Sequence, residues 1–76
     1  MKKCKRGKIF ATHLFEQRKA NGLSQANLAK SLGISQSSVA MWETNRREPS
    51  LDMLAKVAIE FDVSTDYLLG IAEYHE

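Results

Sequence analysis

The sequence predicts an all-α fold, a compact bundle of five short helices. Three observations carry that expectation. Apolar residues recur at three- and four-residue spacing through the chain. Serine and glycine punctuate it at intervals that suit helix starts and stops. No stretch alternates apolar and polar residues as a half-buried strand would.

The first helix is expected over about Ile9–Ala20, with Phe10, Leu14 and Arg18 stacked four apart and Ala11 and Phe15 beside them. Asn21-Gly22 ends it, because glycine is favoured just past a helix terminus. Ser24 caps a second helix over about Gln25–Leu32, whose inward face is Leu28, Ala29 and Leu32. Gly33 breaks it. Ser35 caps a third helix over about Gln36–Thr44, with Val39 and Trp42 on one face and Gln36, Ser37, Ala40 and Met41 on the other. A polar loop, Asn45 to Pro49, holds Arg46 and Arg47. Ser50 caps a fourth helix over about Leu51–Phe61, with Leu51, Leu54, Ala58 and Phe61 expected on its buried side. Ser64 caps a short fifth, about Thr65–Leu69. Residues 1–8 read as a basic arm, 9–70 as the folded domain and 71–76 as a tail.

Composition narrows the function. Seventy-six residues make one small domain, with nothing to spare for a deep catalytic pocket. A hydrophobic fraction of 43% is that of a folding chain rather than a disordered one. No apolar run approaches the roughly 20 residues of a membrane span. The N-terminus is basic, as a signal peptide begins. Thr12, His13, Glu16, Gln17 and Arg18 then deny it an apolar region, so a cytoplasmic location is expected. A lone cysteine, Cys4, forms no intrachain disulfide. One cysteine and two histidines offer no metal-ligand spacing, and no nucleophile motif or phosphate loop is present. No enzyme, metal or cofactor is expected.

The net charge of +2 hides an asymmetry. Residues 1–47 hold ten Lys/Arg against two acids, +8; residues 48–76 hold Lys56 against seven acids, −6. Such a split suits a polyanion on one face and its exclusion from another.

The sharpest pattern lies in residues 25–44. Ala29 stands four residues before Gly33, Val39 six after it, and Trp42 three further on. Two helices that cross steeply need a small residue where their backbones approach, which Ala29 supplies. The turn between them needs positive φ, which Gly33 adopts without a Cβ penalty. Val39 and Trp42 anchor the second helix, and its opposite face is left to enter a groove. Leu23-Ser24-Gln25-Ala26-Asn27-Leu28-Ala29, Leu32-Gly33-Ile34-Ser35-Gln36-Ser37-Ser38-Val39, Trp42-Glu43, Arg47-Glu48-Pro49-Ser50 and Asp62-Val63-Ser64-Thr65-Asp66-Tyr67-Leu68-Leu69-Gly70 resemble the phage-repressor/Cro-type helix-turn-helix family, over about residues 9–70.

The resemblance implies a lambda-repressor-like domain that binds double-stranded DNA and regulates transcription; since one helix in one groove touches too few base pairs to select a site, a homodimer is expected. It implies that Gln25 meets a phosphate and braces the third helix, that Gln36 and Ser37 reach base edges, and that Asn45, Arg46 and Arg47 lie along the backbone. It also implies a pair between Arg18 and Glu43. Ser35, Ser38, Ala40 and Met41 complete the expected DNA surface. The chemistry agrees: glutamine bonds adenine bidentately, serine serves a base or a phosphate, and arginine supplies phosphate affinity without sequence choice. Many family members carry a long polar residue where this chain has Met41. Ala40 and Met41 cannot donate to guanine but suit thymine methyls. Two other readings stand beside this one. The first is an antitoxin or controller with a protein partner, for which the acidic half with Ile71 and Tyr74 leaves room. The second is a coactivator with little sequence choice. Ile71, Ala72 and Tyr74 have no evident core position, which makes the fifth helix and tail the expected dimer contact.

Overall fold

Four serine hydroxyls start four of the helices. In the computed structural model, which describes residues 5–71, the helices are α1 (Lys5–Ala20), α2 (Gln25–Leu32), α3 (Gln36–Glu43), α4 (Leu51–Phe61) and α5 (Thr65–Leu69). Ser24, Ser35, Ser50 and Ser64 each accept from the backbone N–H three residues on, at Asn27, Ser38, Met53 and Tyr67. Each thereby satisfies a donor that the first helical turn leaves without a partner. Strands are absent among the described residues, and no described helix is long and apolar enough to cross a membrane.

The inward faces meet in one core. Phe10 and Leu14 of α1, Leu28 and Leu32 of α2, Val39 and Trp42 of α3, Val57 of α4 and Leu68 of α5 are buried together. The Phe10 and Trp42 rings meet edge to face, centroids 6.2 Å apart, the arrangement that ring quadrupoles favour. Ala29 and Ala58 are buried between the larger side chains.

Polar contacts tie the outer helices to this centre. Lys56 Nζ donates to Leu32 O (3.2 Å), a cation on the carbonyl end of α2. Ser31 Oγ donates to Glu60 Oε2 (2.9 Å). Helix α5 has five residues, too few to be stable alone, and α1 holds it. His13 Nδ1 donates to Tyr67 O (2.6 Å), and the two rings stack 4.3 Å apart. Gln17 Nε2 donates to Tyr67 Oη (3.3 Å), and Arg6 donates to Leu69 O (3.1 Å).

Three elements differ from the sequence reading. α1 begins at Lys5 rather than Ile9, so residues 5–8 are helix instead of arm. The cause is tertiary. Arg6 caps α5, and Gly7 is buried against Glu48 so closely that a Cβ there would lie 2.8 Å from Glu48 Oε2. Residues 1–4 of the arm and 72–76 of the tail lie outside the described residues. Leu51, expected in the core, is 84% exposed. Apart from the side that carries Asp52, Lys56 and Glu60, α4 is apolar, so spacing alone does not select which of its apolar residues are buried; Val57 and Ala58 are. Phe15 is also exposed, with Arg18 and Lys19 5.3 and 5.8 Å from its ring centroid. A cation over an aromatic face stabilises that exposed position.

Gly70 closes α5 at φ +75°, and a Cβ there would lie 2.8 Å from Ile9 Cγ2. Gly70→Ala therefore adds left-handed strain to a clash. It is expected to cost about 1–3 kcal/mol, read as a fall in Tm of roughly 4–8 °C per kcal/mol. Leu51→Ser is expected to change stability by no more than about 0.5 kcal/mol. Equal melting of Gly70→Ala and the wild type contradicts the packing described.

Candidate nucleic-acid interface

The α2–turn–α3 unit sets one helix face free. Gly33 takes φ 74°, ψ 32°, and nothing lies within 4 Å of where its Cβ would be. Backbone conformation, not room, requires glycine there. Ile34 N–H bonds Ala29 O (2.9 Å), turning the chain back under α2. Val39 and Trp42 then bury the inner side of α3, and Gln36, Ser37 and Met41 point outward and are exposed.

A buried ion pair fixes how α3 sits. Arg18 of α1 donates from Nε to Glu43 Oε2 (2.6 Å) and from Nη2 to Glu43 Oε1 (3.1 Å). Its third nitrogen, Nη1, donates to Leu23 O (2.8 Å). The two side chains are 9% and 5% exposed. Gln25, the first residue of α2, donates Nε2 to Glu43 Oε1 (3.0 Å). One carboxylate at the end of α3 thus gathers donors from α1 and α2. The pair expected from the sequence is present, and Gln25 braces α3.

The end of α3 is wrapped by its own loop. Thr44 Oγ1 donates to Ala40 O (2.9 Å), and Asn45 turns at φ 58°. The Arg46 and Arg47 N–H groups both reach Met41 O (2.8 and 3.3 Å). Both arginine side chains are exposed.

The sequence-derived candidates do not all converge. Ser37, Ala40, Met41 and Arg46 line one shallow depression on the outer side of α3, together with Thr44. Gln36 is exposed in the first turn, outside that depression, and so is Arg47 in the loop. Asn45 is half-buried at the turn. The Ser35 and Ser38 hydroxyls lie 3.1 Å apart and share the cap of α3. Thr44 was overlooked as a surface residue because it reads as the helix end. Its spacing held the signal: Ser37, Ala40, Met41 and Thr44 run i, i+3, i+4 and i+7, one face of a helix. Among the described residues no group of His, Cys, Asp and Glu is placed to hold a metal.

This arrangement, two capped helices joined at a left-handed glycine with the second braced from behind, defines a class. The chain belongs to the helix-turn-helix family, whose sequence profile matches residues 14–68. It is similar to the uncharacterized HTH-type transcriptional regulator YobD of Bacillus subtilis, 37% identical over 86% of this chain and 58% of that protein. It is also similar to the HTH-type transcriptional regulator ImmR of Bacillus subtilis, 39% identical over 75% of this chain and 45% of that protein. A third relative is the cryptic phage CTXphi transcriptional repressor RstR of Vibrio cholerae, 37% identical over 75% of this chain and 51% of that protein. The chain spans about half the length of these curated relatives. No solved structure matches it.

Removing Glu43 leaves a guanidinium buried without its carboxylate. Glu43→Ala is expected to cost about 3–5 kcal/mol, a large share of a small domain's stability. Urea denaturation followed by circular dichroism measures it. A midpoint close to that of the wild type contradicts the burial of the pair.

Proposed function

We propose that this chain binds double-stranded DNA with α3 in the major groove and acts as a transcriptional regulator, a repressor at a pseudo-palindromic operator. The observation that carries the reading is the two-sidedness of α3. Its inner face is fixed by Val39, Trp42 and Glu43, and its outer face offers Gln36, Ser37 and Met41 with Arg46 alongside. The major groove admits one such helix. The Vibrio relative is a phage transcriptional repressor, which supports repression as the sign of regulation.

In this reading Gln36 and Ser37 read base edges. Gln36 suits adenine N6 and N7, and Ala40 and Met41 lie against thymine methyls. Ser35, Ser38 and Asn45 meet the backbone at either end of α3. Arg46 and Arg47 contact phosphates, which position the helix without choosing sequence. Gln25 completes the phosphate contacts from the start of α2, its amide nitrogen already held by Glu43. A single helix covers too few base pairs to select one site in a genome. The functional species is therefore a homodimer whose half-sites are centred about 34–36 Å apart. A cytoplasmic location accords with this role.

Gln36→Ala is expected to lose about 1–3 kcal/mol on the preferred site and much less on random duplex. Fluorescence titrations on both DNAs measure the difference, and equal losses contradict base reading by Gln36. Arg46→Ala, in contrast, weakens every sequence alike and lowers the slope of log K against log salt by about one. A salt titration with an unchanged slope removes Arg46 from the phosphate contacts.

A further inference from the structure

The outer side of α3 leaves one thioether open to solvent. Met41 is 37% exposed and lines the same depression as Ser37, Ala40, Thr44 and Arg46. The other methionine among the described residues, Met53 of α4, is half-buried and packed against the core. Trp42, the next residue after Met41, is buried. A thioether differs from every aliphatic side chain in one respect. It takes up an oxygen atom reversibly, and the sulfoxide so formed is polar where the methionine was apolar. Met41 therefore carries a side chain whose polarity can change, on the one helix face that the fold leaves uncovered at α3.

We propose that Met41 is a reversible oxidation site, at which hydrogen peroxide converts the thioether to the sulfoxide and thereby releases the chain from its preferred DNA. This goes beyond the function proposed above and rests on it for the placement of Met41 at the bases. The step is an oxygen-atom transfer. The sulfur lone pair attacks one peroxide oxygen, the S–O bond forms as the O–O bond breaks, and the other oxygen leaves as water with both protons. The thioether is oxidised by two electrons and the peroxide is reduced by two. Methionine sulfoxide reductases reverse the change: two thiols become a disulfide and the sulfoxide oxygen leaves as water. Exposure sets the choice of site, because Met41 is reached from solvent while the core shelters Met53. In the unbound chain the sulfoxide oxygen is satisfied by water, with Ser37 and Arg46 as further donors in the same depression. Against a thymine methyl it finds no donor, and burying a polar group without a partner opposes binding. The arginine contacts to phosphates do not involve Met41, so affinity for random duplex survives. Bound DNA covers the side chain, which confines the oxidation to the unbound chain.

The test uses the full chain with Cys4→Ser, which removes the one thiol that peroxide would also attack. The protein is treated with hydrogen peroxide, and peptide mass spectrometry follows Met41 and Met53. Oxidation is expected to be several-fold faster at Met41, and slower there when DNA is bound. Fluorescence titrations then compare each protein before and after treatment. The probes are a duplex selected from random DNA by the untreated chain, and random duplex itself. Oxidation should weaken binding to the selected duplex roughly tenfold and to random duplex less than about twofold. Methionine sulfoxide reductases with a dithiol should restore the first affinity. Met41→Leu, which takes up no oxygen, should keep its own affinity through the same treatment. The oxidised chain should melt with the untreated one, because Met41 lies outside the core. Met53 oxidised as fast as Met41 overturns the proposal. So does a loss that Met41→Leu shares, that the reductases leave in place, or that comes with a lowered Tm. An untreated chain that prefers no sequence removes the regulatory reading, and the switch with it. A chain that selects a duplex and holds it equally well with Met41 oxidised removes the switch alone.

Discussion

Glu43 is nearly withdrawn from solvent in a domain too small to bury charge freely, and its carboxylate still carries three donated hydrogen bonds. Burying a carboxylate costs several kcal/mol unless its lone pairs are matched. Here a bidentate guanidinium from α1 and an amide from α2 match them. The arrangement is directional. Arginine presents a rigid planar fork, so the pair fixes the angle of α3 as well as its distance from α1. A hydrophobic substitute of equal volume would fill the space without setting that angle. Such a clamp contributes geometry more dependably than net stability.

With its inner side fixed, α3 divides cleanly. Val39 and Trp42 face the core, and Ser37, Met41 and Thr44 lie on the other side at helical spacing. The loop after it is short and folded back on Met41 O, which keeps Arg46 beside the same surface. The exposed first turn of that surface carries two polar side chains, Gln36 and Ser37. The middle of the surface is Ala40 and Met41.

Much of this was legible from residue types with one physical use each. Four serines cap four helices because a short hydroxyl reaches a free N–H in the first turn. Gly33 marks the turn because its φ is positive. The Arg18–Glu43 pair was implied by the resemblance of the chain to the repressor family, and both charges sit at helical spacing with core residues. The remainder depended on contacts distant in sequence. The start of α1 at Lys5 rests on Arg6 reaching Leu69 O across 63 residues. The exposure of Leu51 follows from which part of the broad apolar side of α4 the core occupies. Asn45 and Asp62 take positive φ where glycine is the usual signal. Their short polar side chains tolerate that conformation, but the same residue types are common in ordinary loops.

A braced α3 at the DNA, as proposed, would give this chain its own choice of sequence. Selection of bound sites from random duplex DNA tests it most directly. The expected result is enrichment of one pseudo-palindromic sequence whose half-sites are centred one helical turn apart. Recovery of unenriched sequence after repeated rounds would contradict it, because affinity would then rest on phosphates alone.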